Sequence, residues 1–332
     1  MHYDFAPLEG ITGWVLRGVH RRHFPEADRY FTPFAVANQT RNFKTKEWED
    51  LDPRHNEGVP VVPQILANRA DEFLWAAEEI RALGYPEVNL NLGCPVPMIA
   101  RKHKGSGMLA DPEELDRLLD GIFEGLAKAG GPRLSVKTRL GTEDFGKMDR
   151  LMEIYRKYPL TDLIIHPRTQ RDMYRVPADP AMFSRALLSY GQAQGACKPA
   201  DLYYNGDLRT AADCAGIRER FPAIAGVMLG RGLLADPALI REARGGAPLG
   251  REELRDYHSD LLQAMRETLP GDAVTIGRMK ELWLYLGENF PGGERYLKEI
   301  RKAGSRAAYE AAVRSLFVNV PFRAAGSVFP QV

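Results

Sequence analysis

The sequence predicts an α/β fold, a TIM (β/α)8 barrel followed by a C-terminal helical-bundle domain. Three observations carry that expectation. Short β-prone runs alternate with helical patterns over about the first 245 of 332 residues. Several of those runs are continuously apolar, as expected of a parallel sheet covered on both faces. From about Gly250 the strand signals stop and only helical periodicity continues. Eight β/α units in ~250 residues suit a closed barrel better than an open doubly wound sheet. The dinucleotide fingerprint of the open sheet also fails, since Gly230-Arg231-Gly232 lacks both the third glycine and the later acidic residue.

Strands are expected at Tyr3–Ala6, Arg29–Phe34, Val59–Leu66, Glu87–Leu92, Leu134–Arg139, Asp162–His166, Asp201–Asn205 and Gly226–Leu229. The intervening helices have their own signals. Asp111-Pro112-Glu113-Glu114 supplies an N-cap, a first-turn proline and first-turn acids, and Leu115, Leu118, Leu119 and Ile122 follow at helical spacing. Asp236-Pro237 repeats that opening, and Phe73, Ala76, Ala77 and Ile80 form another apolar stripe. Residues 245–250, Gly-Gly-Ala-Pro-Leu-Gly, read as a linker. Beyond it, Glu252–Thr268, Ile276–Phe290, Glu294–Lys302 and Ser305–Phe317 read as helices, with Ile276, Met279, Trp283, Leu286 and Phe290 spaced as a bundle seam. The expected domains are therefore 1–245 and 251–332.

Composition narrows the function. At 44% hydrophobic and 27% charged the chain can bury a sizeable core. A balance of 45 Lys plus Arg against 44 Asp plus Glu excludes a uniformly basic nucleic-acid coat, though not a local patch. No apolar run reaches the ~18 residues of a membrane span, and Met1-His2-Tyr3-Asp4 does not open a signal peptide, so a cytoplasmic location is expected. Cys94, Cys197 and Cys214 are odd in number and widely spaced, which disfavours disulfides and structural zinc.

Barrel enzymes draw their catalytic groups from the C-terminal ends of strands, and here nearly every apolar run ends in a polar residue. Those ends carry Gln64; Asn89, Asn91 and Cys94; Lys137 and Arg139; His166 and Arg168; Asn205 and Asp207; and Gly230 and Arg231. Any one alone reads first as a cap or a satisfied core residue. Together they point to one polar site, because burying Lys137 or Arg139 without an anion is costly. Asn205-Gly206-Asp207 and Gly230-Arg231-Gly232 follow the last two strands, where barrels often bind phosphate, and a flavin mononucleotide suits that end. Cys94 lies between Gly93 and Pro95, just before the cationic, glycine-hinged stretch Arg101-Lys102-His103-Lys104-Gly105-Ser106-Gly107. A thiol among cations gives up its proton more readily, so Cys94 reads as reactive and Cys197 and Cys214 as packing residues.

These residues resemble the tRNA-dihydrouridine synthase family. The likeness runs through Ala6-Pro7-Leu8-Glu9-Gly10-Ile11-Thr12, Pro63-Gln64-Ile65, Asn91-Leu92-Gly93-Cys94-Pro95, Lys137-Thr138-Arg139-Leu140-Gly141, His166-Pro167-Arg168-Thr169, Asn205-Gly206-Asp207, Gly230-Arg231-Gly232 and Arg278-Met279-Lys280. The resemblance implies an FMN-containing barrel with a helical RNA-binding domain that reduces the C5=C6 bond of uridine, with NADPH as reductant. It makes Cys94 the general acid, and gives FMN to Pro7, Gln64, Lys137, His166, Asn205, Asp207, Gly230 and Arg231. Substrate falls to Asn91, Arg139, Arg168, Lys102, Arg278 and Lys280. The implied partner is RNA, foremost tRNA, with neither a membrane nor an obligate protein partner. Pro167 departs from the family's usual glycine or alanine and removes a main-chain donor; Leu8 stands where methionine is commoner. Between Arg295 and Arg323 seven basic residues face two acidic ones, a local +5 suited to RNA backbone. Two rival readings are an FMN enzyme acting on a free small pyrimidine or enone, and a non-catalytic RNA-binding protein.

Overall fold

A computed structural model of the chain describes residues 1–327. Among them, ten strands form one parallel sheet: β1 (His2–Phe5), β2 (Arg29–Phe31), β3 (Ala35–Val36), β4 (Val61–Val62), β5 (Gln64–Leu66), β6 (Glu87–Leu92), β7 (Arg133–Arg139), β8 (Asp162–His166), β9 (Asp201–Tyr204) and β10 (Gly226–Leu229). The expected strand Val59–Leu66 is split at a proline, and the expected strand Arg29–Phe34 stops at Phe31, with pairing resuming beyond its expected end at Ala35–Val36. Pro33 separates β2 from β3 and Pro63 separates β4 from β5, because proline has no N–H to give the ladder. Since β2 pairs with β4 while β3 pairs with β5, the halves on either side of each proline keep the same neighbour. The ten strands thus act as eight staves, and the ring closes where β1 lies beside β10. Both faces of the staves are covered, and all five residues of β8 and all six of β6 are buried.

Contacts divide the chain into two compact units. The first comprises Met1–Pro7, Arg29–Asp207 and Phe221–Met228; the second comprises Leu8–Asp28, Leu208–Arg220 and the residues from Leu229 onward. The second unit therefore holds the helices Trp14–His23 and Ala211–Arg220 as well as the expected 251–332 segment, whose end, 328–332, lies outside the described residues.

In the first unit the helix Pro112–Ala129 starts as its sequence requires. The Asp111 carboxylate accepts from the N–H groups of Glu113 and Glu114 at 3.0 and 3.1 Å, and Leu115, Leu118, Leu119 and Ile122 are buried. Toward the N-terminal end of the staves, Arg29 donates to Asp4 at 2.8 Å and to Asp162 at 2.5 Å, with its guanidinium over the Phe31 and Tyr203 rings. Conserving charge inside this end costs something: burial raises the Asp4 carboxyl to about 6 although Arg29 opposes the shift.

In the second unit the tail helices are Arg251–Thr268, Asp272–Leu286, Glu294–Lys302 and Arg306–Asn319. The expected seam of Ile276, Met279, Trp283, Leu286 and Phe290 is buried throughout. Beside it the Tyr309 hydroxyl accepts from Trp283 Nε1 at 2.8 Å and shares a hydrogen bond with His258 Nε2 at 2.7 Å. Burial lowers the His258 imidazole to about 4, so it is neutral at pH 7. No helix among the described residues is long and apolar enough to cross a membrane.

Candidate active site

Register explains why polar residues far apart in sequence meet at one end of the barrel. Asn91 lies opposite Lys137 across β6 and β7, Arg139 lies opposite His166 across β7 and β8, and Gln64 lies opposite Asn89 across β5 and β6. Asn91, Lys137, Arg139 and His166 occupy the C-terminal halves of their strands, the end where barrels carry chemistry, with Gln64 and Asn89 one layer below.

Cys94 is presented by a turn held from two sides. The Asn91 side-chain oxygen accepts from the N–H of Gly93 at 3.0 Å and of Cys94 at 2.9 Å. From the other side, Ser106 donates to the Cys94 carbonyl through its N–H at 3.0 Å and its hydroxyl at 2.8 Å. Gly105 makes this approach possible. Its φ is +58°, and a Cβ there would stand 2.8 Å from the Cys94 carbonyl oxygen. The thiol itself stays partly exposed, whereas Cys214 is fully buried and pushed up to about 12.

The amide of Asn91 continues into a buried relay. Its nitrogen donates to Gln64 Oε1 at 2.7 Å, Gln64 Nε2 donates to Asn89 Oδ1 at 2.8 Å, and Asn89 Nδ2 donates to Ser135 Oγ at 3.0 Å. Such a chain fixes the orientation of every amide in it. Asn91 therefore acts first as the residue that positions Cys94 and Gln64.

Arg139 is fully buried and is fastened to three carbonyls, those of Gly93 at 3.0 Å, Thr169 at 2.7 Å and Met173 at 3.0 Å. Its Nη2 makes no hydrogen bond within normal geometry, and the guanidinium lies 5.4 Å from the Tyr174 ring. Arg168 donates to His166 Nε2 at 2.8 Å and makes a bidentate pair with Asp207 at 3.0 and 2.5 Å. A guanidinium always donates, so His166 Nε2 is an acceptor. Asp207 also takes the N–H of Ala178 at 2.9 Å, and Pro167 fits a tight turn in which Arg168 N–H reaches the His166 carbonyl at 2.7 Å. Tyr174, 52% exposed, lies near Arg139, Arg168 and His166 alike.

Lys137 is the electrostatic centre of this rim. Burial and then the positive charge of Arg139 lower its ammonium to about 7, and the nearby Cys94 thiol opposes the shift. The residue is half-buried, and its charge is poorly hydrated. A cation in that state accommodates an electron-rich or anionic ligand.

The other expected residues are placed as follows. In the first unit, Asn205 Nδ2 donates to the Met228 carbonyl at 2.7 Å, Pro7 is partly exposed, and Lys102 is exposed while its carbonyl accepts from Asn68 at 2.9 Å. In the second unit, Gly230 and Arg231 open a helix of five residues, Arg231–Ala235, and Gly232 packs where a Cβ would meet the Leu208 carbonyl at 2.3 Å. Arg278 donates to the Gly10 carbonyl at 2.9 Å, and Lys280 donates to that of Ala303. Ser106 and Tyr174 belong to the site although the sequence did not single them out. Tyr174 carried one signal, the single aromatic in the loop between His166 and the helix Pro180–Gln192.

A closed parallel barrel with a presented thiol, a poorly hydrated lysine and pinned guanidinium groups at one rim has the build of a TIM-barrel enzyme. Solved structures of that fold include morphinone reductase, with a TM-score of 0.52 and 13% identity over 75% of this chain and 87% of that one. The old yellow enzyme from Trypanosoma cruzi is similar at a TM-score of 0.51 and 11% identity, over 79% and 93%. At these identities the likeness is one of fold. Sequence is more specific: the pattern of the dihydrouridine synthase (Dus) family matches residues 4–270. A probable tRNA-dihydrouridine synthase 2 of Bacillus subtilis is 29% identical over 265 residues, 78% of this chain and 77% of its own length. A probable tRNA-dihydrouridine synthase of Staphylococcus aureus is 27% identical over 258 residues, 73% and 71%. The chain belongs to the dihydrouridine synthase family and is thereby an oxidoreductase.

Proposed function

We propose that the protein is a cytoplasmic enzyme that reduces the C5=C6 bond of a uridine in tRNA to dihydrouridine, with tightly bound FMN and with NADPH as reductant. The observation that carries this reading is the double clamp that holds a partly exposed Cys94 thiol beside Lys137. The rim suits FMN: Lys137 and Arg139 bring more positive charge than the strand ends neutralise, and Gln64 is fixed by its neighbours. Pro7, Gln64, Lys137, His166, Asn205, Asp207, Gly230 and Arg231 would hold the cofactor, with Asp207 and His166 kept in place by Arg168. When bound, FMN supplies the hydride that adds to C6.

The protein's own residues supply the rest. Negative charge develops on the C5 and O4 side of the uracil as C6 is reduced, and Lys137 and Arg139 are the cations that stabilise it. Cys94 gives its proton to C5, and Lys137 stabilises the thiolate left behind. Asn91 holds the thiol's backbone, and Tyr174 offers a ring for the base to stack on. Residues 1–245 form the catalytic part and 251–332 the RNA-binding part, where Arg295, Lys298, Arg301, Lys302, Arg314 and Arg323 are exposed. Lys102, Arg168, Arg278 and Lys280 complete the substrate contacts.

Purified protein should be yellow after FMN addition, and NADPH should bleach it. Cys94→Ala should retain flavin and RNA affinity and lose about 10²–10⁴-fold in single-turnover dihydrouridine formation. Unchanged product formation would remove Cys94 from the mechanism. Free uridine reduced as fast as tRNA would assign the protein to small pyrimidines instead.

A further inference from the structure

Beyond Cys94 the chain does something a buried loop would not. Val96, Pro97 and Met98 are consecutively exposed, and Met98 keeps 71% of its surface in solvent. The segment is nonetheless firmly built. Ile99 and Ala100 N–H groups return to the Val96 carbonyl at 2.9 and 3.0 Å, those of Arg101 and Lys102 to Pro97 and Ile99 at 3.0 Å, and that of His103 to Ala100 at 2.9 Å. Gly107 packs against the turn so closely that a Cβ would fall 2.2 Å from the Ala100 carbonyl oxygen. Met98 is therefore held outward by a rigid turn.

A lone exposed apolar side chain is ordinary on a protein surface. This one has a particular setting. Met98 follows the thiol by four residues, so it lies at most ~14 Å from Cys94 along the chain. From Cys94 to Ala110 the segment has Arg101, Lys102 and Lys104 and no acidic residue, and Arg101, Lys102 and His103 are exposed. An apolar tip with cations on its flank matches RNA, whose bases are apolar on their faces and whose backbone is anionic. Enzymes that act on a base inside a folded nucleic acid must swing it out, which costs a few kcal/mol of lost stacking. Apolar side chains, Met among them, fill base steps opened in this way.

The geometry points to Met98 as a wedge that occupies the gap left in a folded RNA when the target uridine enters the barrel mouth. The assignment rests on the reading of the site as a uridine reductase and adds the device that makes a structured RNA accessible to it. In this role Met98 acts on the opened RNA and not on the reacting base, so its contribution is confined to substrates that must be opened.

The test compares two RNAs in single-turnover dihydrouridine formation by the full chain: a folded tRNA, and an unstructured uridine-containing oligonucleotide. Met98→Ala should slow the reaction on folded tRNA by about ten- to a hundredfold, the scale of the lost stacking compensation. The oligonucleotide rate should not change, and Met98→Leu should restore the tRNA rate. 2-Aminopurine beside the target uridine should brighten on binding to the unaltered protein and less with Met98→Ala. An equal fall on both RNAs, or no fall on tRNA, overturns the wedge. Product from neither RNA with the unaltered protein is a separate result and overturns the uridine-reductase reading together with it.

Discussion

At Gly105 two demands fall on one residue: a positive φ of +58°, and a neighbouring carbonyl, that of Cys94, standing where a side chain would begin. Gly130, which ends the helix Pro112–Ala129 with φ +60°, meets the first demand alone, since nothing lies within 4 Å of its missing Cβ. The pair separates backbone strain from steric displacement of the thiol. Gly130→Ala should cost about 1 kcal/mol in chemical denaturation and leave Cys94 alkylation by iodoacetamide unaltered. Gly105→Ala should cost more and change the alkylation rate, because the Cys94 backbone must shift. Identical alkylation in the two variants would mean that the loop yields without moving the thiol. The sequence made Cys94 legible because glycine and proline on either side mark a turn. Ser106 was not legible, because its partner is a carbonyl twelve positions back, a relation that neither periodicity nor composition encodes.

The elements most legible in sequence are those whose local signals agree with their surroundings. Glu294–Lys302 has the bounds its pattern implies, and Asp111-Pro112 starts its helix by the expected cap. The two barrel strands read as continuous were not, because an apolar run records burial while Pro33 and Pro63 interrupt pairing inside it. The tail bundle shows the limit in another way. Its seam follows from spacing, but the link joining helices Arg251–Thr268, Asp272–Leu286 and Arg306–Asn319 runs through one hydroxyl, that of Tyr309. Tyr309→Phe keeps the ring and strips a partner from both Trp283 Nε1 and His258 Nε2, each in the buried interior. At about 1–3 kcal/mol for each of the two buried groups left unsatisfied, the variant should lose roughly 2–6 kcal/mol of stability. A loss under about 1 kcal/mol by urea denaturation would show that the bundle repacks around the two groups.

On the scale of the whole molecule, the sequence carried the order of strands and helices, while the grouping into compact units depends on contacts between segments distant in the chain. Trp14–His23 lies between β1 and β2 in the chain but packs in the second unit, where His20 Nε2 donates to the Pro237 carbonyl at 3.1 Å. That grouping has a consequence in acid. Burial lowers His20 to about 3 and His258 to about 4, both in the second unit, so between about pH 6.5 and 4 the unfolded form binds two protons that the folded form refuses. Asp236, also in this unit, opposes them, since burial and the neighbouring Glu242 raise it to about 7 and the folded form already holds its proton. The balance is about one proton taken up on unfolding, so stability falls as pH falls, by about 1.4 kcal/mol per pH unit. In the first unit the sign is reversed: Asp4 is raised to about 6 and Glu87 is also raised, so their protonation favours the folded form as pH drops through the same window. Hydrogen exchange followed by mass spectrometry from pH 6.5 to 4, corrected for intrinsic rates, should therefore show protection lost in peptides of the second unit while those of β6 to β8 hold. Parallel loss in both sets would mean that the two units unfold as one, or that the buried imidazoles do not govern the acid limit.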